Sequence, residues 1–175
     1  MIVDYDPGWP GQAAAAIAEL RPVLAGVVTE IEHIGSTSVP GMAAKPTIDL
    51  MAAAPRLEPV GSRAGKLAEL GYRPHDNGMT DRLLYVRFDG PARSHLLHVV
   101  TADSWPTRNQ RLLRDYLRRH PSEAERYGRF KKELAAAGVH PGDYAAAKTA
   151  LVQELTDRAR AEAGLAPVPV WEKGA

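Results

Sequence analysis

The hydrophobic pattern of the chain changes near residue 104, and this change limits the folds that the chain can adopt. Before it lie short β-rich runs such as 83–88 and 95–100, separated by turn residues. After it, glycine, proline and capping residues divide the sequence into helix patterns at 107–119, 122–137 and 143–163. Short runs between turns are typical of strands, and apolar residues three and four apart are typical of helices. The pattern therefore predicts an α+β fold with a mixed sheet, flanking helices and a helical C-terminal half.

The first half also contains two helix patterns and two further strand patterns. Apolar residues at helical intervals predict helices over 12–24 and 57–70, each followed by a glycine. Apolar and β-branched residues predict strands near 27–34 and over 47–53. A turn-rich segment, GSTSVPGMAAKP, lies between these two strands.

The length of 175 residues matches one domain, because domains most often contain about 100–150 residues. Its composition, 45% apolar and 25% charged, is that of a globular protein. We expect a single domain over 1–175, with a mixed α/β core at 1–104, helices at 105–163 and an extended tail at 164–175.

The charge balance and the lack of cysteine exclude several classes of function. Lys and Arg total 22 and Asp and Glu total 21, so the surface lacks the broad positive field that nucleic-acid binding requires. A small anion held by a few placed cations is compatible with this balance. The chain has no cysteine, which excludes disulfides and thiolate-bound zinc.

The first ten residues, MIVDYDPGWP, lack the basic end and the continuous apolar run of an export signal. No stretch approaches the roughly 20 apolar residues that cross a bilayer. We therefore expect a cytoplasmic protein with no membrane partner.

The turn-rich segment contains the best candidate for a binding site. Gly35 and Ser36 end the preceding strand in a turn whose free backbone N–H groups can hold a phosphate. Ser36, Thr37 and Ser38 supply three hydroxyls, and Lys45 supplies a positive charge. These groups suit a polyphosphate. The structural alternative is a common turn with capping hydroxyls and a solvated lysine.

Asp49 is the principal catalytic candidate, and Lys45 is a second one. It lies between Ile48 and Leu50, so the strand period of two directs its carboxylate away from these apolar neighbours. A carboxylate in an apolar strand needs a partner or a function. Mg²⁺ is typically bound by one or two carboxylates with substrate phosphates and water, so Asp49 is also a candidate metal ligand.

These motifs are similar to those of a known family. The string HIGSTSVPGMAAKPTIDL, residues 33–50, resembles the signature of the GrpB-like family, which also occurs fused behind dephospho-coenzyme A kinase in some bacteria. The resemblance extends through DYDPGWP, HLLHVV and RDYLR to cover nearly the whole chain. The family is similar in fold to the nucleotidyltransferase superfamily, so the resemblance implies a minimal nucleotidyltransferase-like core.

The resemblance also implies a set of site residues. In that superfamily a Gly-Ser turn precedes a strand with two metal-binding acids separated by one apolar residue. Gly35 and Ser36 match the turn and Asp49 matches the first acid, but Met51 stands where the second acid is expected. The implied cofactor is Mg²⁺ or Mn²⁺ with a nucleoside triphosphate, and Met51 argues against a complete two-metal centre.

Three histidines lie near the same strands. The superfamily places a third acid on a neighbouring strand, where this chain has His95 and His98. Imidazole can bind a metal, so His98 joins Asp49 as a candidate metal ligand and catalytic residue, and His33 joins the candidate phosphate pocket. The alternative for each is a structural, hydrogen-bonded histidine.

The helical half contains three pairs of cationic or aromatic residues: Arg114 and Arg118, Tyr127 and Lys131, and Tyr144 and Lys148. The members of each pair are four residues apart and therefore share one helix face. We expect these faces to form a basic wall around the ligand. The alternative is that Arg114 pairs with an acid such as Asp115 and that the tyrosines pack in the core.

Three functions are compatible with these residues. The first is a metal-dependent nucleotidyl or phosphoryl transferase that binds a nucleoside triphosphate. The second is a non-catalytic module that binds a phosphorylated metabolite or assists a protein such as dephospho-coenzyme A kinase, which Met51 favours. The third is a hydrolase with a transition metal, which is disfavoured because His95 and His98 are expected on opposite faces of their strand.

Overall fold

The computed structural model describes residues 1–76, 78–138 and 141–170, and only the backbone of residues 141–145. Its first part is a five-stranded sheet with the strands β1 Glu30–Ile34, β2 Ile48–Ala54, β3 Arg73–Pro74, β4 Arg82–Asp89 and β5 Ala92–Thr101. The spatial order is β1-β2-β5-β4-β3. The central β2 and β5 are parallel and the other neighbours are antiparallel. The sheet is therefore mixed.

Helices pack on both sides of this sheet. The first part contributes α1 Trp9–Val23, α2 Glu58–Gly61 and α3 Ala64–Glu69, and the second part contributes α4 Asn109–Arg119, α5 Pro121–Ala136 and α6 Pro141–Glu162. Short 3-10 turns occur at Ser36–Ser38 and Trp105–Thr107. The predicted α+β class, with a mixed sheet, flanking helices and a helical C-terminal half, is confirmed. Among the described residues, no helix is long and apolar enough to span a membrane.

The strand period of two separates the sides of β2. Leu50 and Ala52 join the main core with Leu20 of α1 and Leu67 of α3. The opposite side of β2 carries Asp49 and Met51 and faces the C-terminal helices. The site therefore lies on the side of the sheet that α1 does not cover.

The C-terminal helices pack on the turn-rich segment that joins β1 to β2. Val39 and Met42 of this segment share an apolar cluster with Tyr116 and Leu155. Gly128 of α5 permits a close approach, because a Cβ there would lie 3.0 Å from the backbone nitrogen of Ala43. The segment is thus held between the sheet and the helices.

Two predicted elements differ from the observed ones. The strand predicted near 27–34 begins only at Glu30, because the N–H groups of Val27 and Val28 donate to Leu24 O and close a turn after α1. The helix predicted over 57–70 is divided into α2 and α3, and the Ser62 hydroxyl donates to Pro59 O at the break. A side chain that bonds to the backbone in this way competes with helix continuation.

Candidate functional site

A cavity of about 600 Å³ lies between the first 3-10 turn, β2 and the three C-terminal helices. Six of the predicted site residues line it: Gly35, Ser36, Asp49, Arg114, Tyr127 and Lys148. Their polar groups lie among apolar residues of the helices, such as Leu113, Leu117 and Val152. A concave apolar site with a few convergent polar groups is typical of small-molecule binding.

The turn and Asp49 converge at one end of this cavity. Ile34, the last residue of β1, is the register partner of Asp49 in β2, so the chain turns at Gly35 directly beside the carboxylate. Gly35 has φ 73° and ψ −174°, a conformation that is open essentially to glycine alone. A Cβ at position 35 would overlap the Asp49 carboxylate. Glycine is required here for both reasons.

Asp49 is partly exposed at the cavity wall and faces several cations. Burial raises its pKa to about 7, and Lys148, Arg93, Lys131 and Lys45 oppose this rise. The burial effect exceeds the combined attraction of these cations. Asp49 is therefore close to its titration midpoint at neutral pH.

Lys131 lies behind Ser36 and is more deeply buried than Arg114. Its side chain is 3% exposed. Its Nζ donates to Ser36 Oγ at 2.8 Å and lies 4.4 Å from the centre of the Tyr127 ring. Burial lowers the pKa of Lys131 to about 7, with a further contribution from Lys148 and opposition from Asp49. An anion in the cavity would stabilise the charged form of this lysine.

Arg114 lines the cavity but is largely engaged in ion pairs. Its Nη1 donates to Glu32 Oε2 at 2.7 Å and to His33 O at 3.0 Å, and its Nε donates to Asp115 Oδ1 at 2.7 Å. The alternative raised from the sequence, pairing with an acid such as Asp115, is thus observed. Arg114 connects α4 to β1, and its guanidinium positions the cavity wall.

Glu32 and Arg111, two residues that were not predicted from the sequence, complete this network. Arg111 donates from Nε and Nη2 to the two Glu32 oxygens at 3.0 and 3.1 Å, and it stacks on the Trp105 ring at 4.2 Å. Burial opposes ionisation of Glu32, but the hydrogen bonds from Arg111 and Arg114 outweigh it and lower the pKa of Glu32. The available signal was the spacing of three between the arginines, which places them on one face of a helix.

Thr37, Ser38 and His33 have structural contacts in place of the expected phosphate contacts. The Thr37 hydroxyl donates to Thr47 O at 3.1 Å and lies 2.9 Å from His33 Nε2, and the Ser38 hydroxyl donates to Gly35 O. His33 pairs with Leu50 and so lies on the sheet face opposite to Asp49. These three side chains stabilise the turn, and of its three hydroxyls only that of Ser36 lines the cavity.

The expected metal pair of Asp49 and His98 is not supported. His98 is the register partner of Met51, whereas Leu96 is the partner of Asp49. Two residues along a strand correspond to about 7 Å, so the two side chains start well apart. Burial, Arg82 and Arg108 lower the pKa of His98 to about 4. Within the described part of the chain, no three His, Cys, Asp or Glu residues come together as a metal site would require.

Met51 fills the position where the family resemblance implies the second acid. Its side chain is fully buried and packs with Ile34, Ala53, Val100 and Trp105. This cluster is apolar, so a carboxylate there would be desolvated on burial. His95 and His98 lie on opposite faces of β5, because Leu97, in the main core, and His95 share one face. This agrees with the expectation that disfavoured the hydrolase.

The remaining predicted residues lie at the edge of the site or outside the described part. Arg118 is exposed and its Nε donates to Ser38 O at 2.9 Å. Lys45 is exposed, and it acts on Asp49 through its charge. Lys148 is also exposed, but it lines the cavity. The side chain of Tyr144 lies outside the described residues, so its predicted ligand contact stays a prediction.

Comparison with known proteins identifies the family. A family model described as GrpB protein matches residues 1–158. The chain belongs to the GrpB family. A UPF0157 protein of Halalkalibacterium halodurans is 32% identical over 161 residues, which cover 91% of this chain and 82% of that protein. The crystal structure of conserved protein GrpB from Enterococcus faecalis matches with a TM-score of 0.85 at 28% identity, over 94% of this chain and 99% of that one.

The GrpB similarity also extends to a longer protein. Dephospho-CoA kinase of Mycobacterium leprae is 30% identical over 179 residues, which cover 84% of this chain and 43% of the kinase. The matching region is therefore less than half of that protein. These findings confirm the resemblance read from residues 33–50.

Proposed function

We propose that this GrpB family member binds a phosphorylated small molecule, such as a nucleotide, in the cavity between the Gly35–Ser36 turn and the C-terminal helices. The observation that carries the proposal is the buried Lys131, whose Nζ donates to Ser36 Oγ at 2.8 Å and whose charge interacts with the carboxylate of Asp49. A ligand phosphate could accept hydrogen bonds from Ser36 and Lys148, which line the cavity, and Lys131 would support it with its charge from behind Ser36. Charge-assisted hydrogen bonds of this kind are among the stronger ones in proteins.

The charges of the cavity favour an anion. Burial lowers the pKa of Lys131, repulsion from Lys148 lowers it further, and Asp49 only partly offsets these effects. A phosphate group would relieve the repulsion and raise the pKa of Lys131. Binding near pH 7.5 should therefore take up protons, which calorimetry in two buffers of different ionisation enthalpy measures.

Metal-dependent nucleotidyl or phosphoryl transfer is a second candidate, suggested by the nucleotidyltransferase resemblance. Asp49 could hold one Mg²⁺ that enters with ligand phosphates, since this ion accepts one carboxylate with phosphates and water. Met51 leaves no second carboxylate for the clamp of two ions that stabilises attacking and leaving oxygens. The donor set thus supports binding more strongly than two-metal catalysis. This chain matches less than half of a dephospho-CoA kinase, and a match of this kind is compatible with a role as an accessory module.

Calorimetry with ATP, GTP, CTP and UTP, each with and without Mg²⁺ or Mn²⁺, tests the proposal. Lys131→Met should weaken binding by about tenfold to a hundredfold, because charged hydrogen bonds contribute about 1.5–3 kcal/mol. Lys132→Met is the matched control, since Lys132 is the next residue of α5 and pairs with Asp4 at the surface. Equal affinities in the two variants, or no binding of any nucleotide, would refute the proposal.

A turnover assay with a panel of acceptors, combined with the calorimetry, separates the two candidate functions. If an acceptor panel reveals metal-dependent turnover that Asp49→Ala abolishes, the protein is a transferase. Binding without turnover, with affinity lost in Lys131→Met, identifies a binding module. Circular dichroism of each variant establishes that the fold is retained.

A further inference from the structure

A second cavity, of about 310 Å³, lies beside the first and is lined by three arginines. They come from β4, from the residue before α4, and from α6: Arg82, Arg108 and Arg160. Arg82 and Arg160 are each only 8% exposed. Gln110 and Val170 belong to the walls of both cavities, so ligands in the two would be neighbours.

The second cavity has fewer carboxylates than cations. Asp81 is the single acid among its described lining residues. Arg82 Nε donates to Asp81 Oδ1 at 2.8 Å, and Arg108 pairs with the other oxygen of the same carboxylate. The nearby His98 is neutral at physiological pH and adds no charge of either sign. Three guanidinium groups thus face one carboxylate.

Arg160 has only uncharged partners among the residues that the structure describes. Its Nε donates to Ala166 O at 2.6 Å, and its Nη1 donates to Thr107 O at 3.1 Å and to Asn109 Oδ1 at 2.9 Å. A buried guanidinium without an anionic partner is unfavourable. Arginine presents a planar fork of donors that matches carboxylate and phosphate groups. The arrangement is therefore complementary to an anion.

We propose that this second cavity binds a small molecule through a phosphate or carboxylate group held by Arg82, Arg108 and Arg160. Because the cavities share two wall residues, this molecule lies next to the ligand of the first cavity, where a second substrate or an effector would be placed. The inference is carried by the arginine arrangement and does not depend on the function proposed for the first cavity.

Titration of the ¹⁵N-labelled full chain with inorganic phosphate, and separately with citrate, tests this inference. The arginine Nε–H resonances of Arg108 and Arg160 should shift, and Arg160→Gln should weaken binding of at least one anion by about tenfold or more. The matched control is Arg158→Gln in the same helix, because Arg158 pairs with Glu123 and Glu154 outside the cavity. This control should change the affinity by less than about twofold, since exposed pairs contribute little.

Further variants keep the test decisive. Arg108→Gln replaces Arg160→Gln if that variant fails to fold, and it should weaken the same anion. Anion binding that both variants retain, or that Lys131→Met beside the first cavity abolishes, overturns the inference. Glu172 follows Val170 by two residues in the sequence. If anion binding occurs only in Glu172→Gln, the chain's own carboxylate is the occupant, and the inference is also overturned.

Discussion

Replacing Asp49 with asparagine should change the pH dependence of stability in a defined direction. Burial raises the pKa of Asp49 from 3.8 to about 7 in the folded protein. One pKa unit corresponds to about 1.4 kcal/mol, so ionised Asp49 destabilises the folded state by on the order of 4 kcal/mol. This value is a large part of the 5–15 kcal/mol that is typical of whole domains.

The sign follows from proton binding by the two states. Between about pH 4 and pH 7 the folded state keeps the Asp49 proton and the unfolded state loses it, so the contribution of Asp49 to the stability of the wild type falls as pH rises. Below this window Asp49 is neutral in both states and the penalty is absent. Lys131 is protonated in both states over the lower part of this window and loses its proton in the folded state only near pH 7, because burial lowers its folded pKa to about 7. Asparagine cannot ionise, so the stability of Asp49→Asn lacks the pH-dependent contribution that Asp49 makes in the wild type.

Urea unfolding of the wild type and of Asp49→Asn at pH 4, 5.5, 7 and 8 measures this difference. The free energy of unfolding of the variant, relative to the wild type, should rise by about 2–4 kcal/mol between pH 4 and pH 7 and then level off. Taking the difference between the two free energies of unfolding cancels the contributions of groups that titrate in the same way in both proteins. A difference that stays constant with pH would mean that the carboxylate is solvated, and the reasoning about the site would be wrong.

The remaining predictions concern the residues that shape the site, each measured by urea unfolding at neutral pH. Gly35→Ala should destabilise by about 2–4 kcal/mol, because the backbone conformation excludes alanine and the new Cβ meets the neighbouring carboxylate. Gly90→Ala, with φ 56° but open space around it, should cost only about 1–2 kcal/mol, and equal losses would contradict the overlap. Glu32→Gln should cost about 3–5 kcal/mol, since it removes the acid that Arg111 and Arg114 share and leaves Arg114 with Asp115 alone, whereas Glu58→Gln at an exposed pair should cost less than about 1 kcal/mol. Met51→Asp should destabilise by more than about 3 kcal/mol and should not create tight Mn²⁺ binding, and submicromolar Mn²⁺ affinity by electron paramagnetic resonance would contradict this.

The convergence of Gly35 and Asp49 could be predicted from the sequence, because both belong to one local unit. The turn follows directly on β1, and β1 is the antiparallel neighbour of β2, so Ile34 and Asp49 face each other. The alternation of apolar residues around Asp49 placed its carboxylate on the side away from the main core. The local apolar pattern and the pairing of two neighbouring strands were therefore sufficient to predict that Gly35 and Asp49 lie together.

The roles of the hydroxyls and of Lys131 could not be predicted in the same way. Thr37 and Ser38 look equivalent to Ser36 in the sequence, but their hydroxyls donate to backbone carbonyls that only the folded turn brings near. Lys131 shares a helix face with Tyr127, as its spacing indicated, yet its contact with Ser36 spans 95 residues. A four-residue spacing shows that two residues share one helix face, but it does not show which residues that face contacts.

The amino-acid sequence alone determined the α+β class, the strand-turn-strand unit around Gly35 and Asp49, and the family resemblance. These features depend on periodicity and on neighbours within a short stretch of chain, which the sequence contains directly. The tertiary structure alone decided which cations face Asp49, that Met51 is sealed in an apolar cluster, and that Arg82, Arg108 and Arg160 meet around one cavity. Such groupings depend on how distant elements pack, and packing is a property of the whole core.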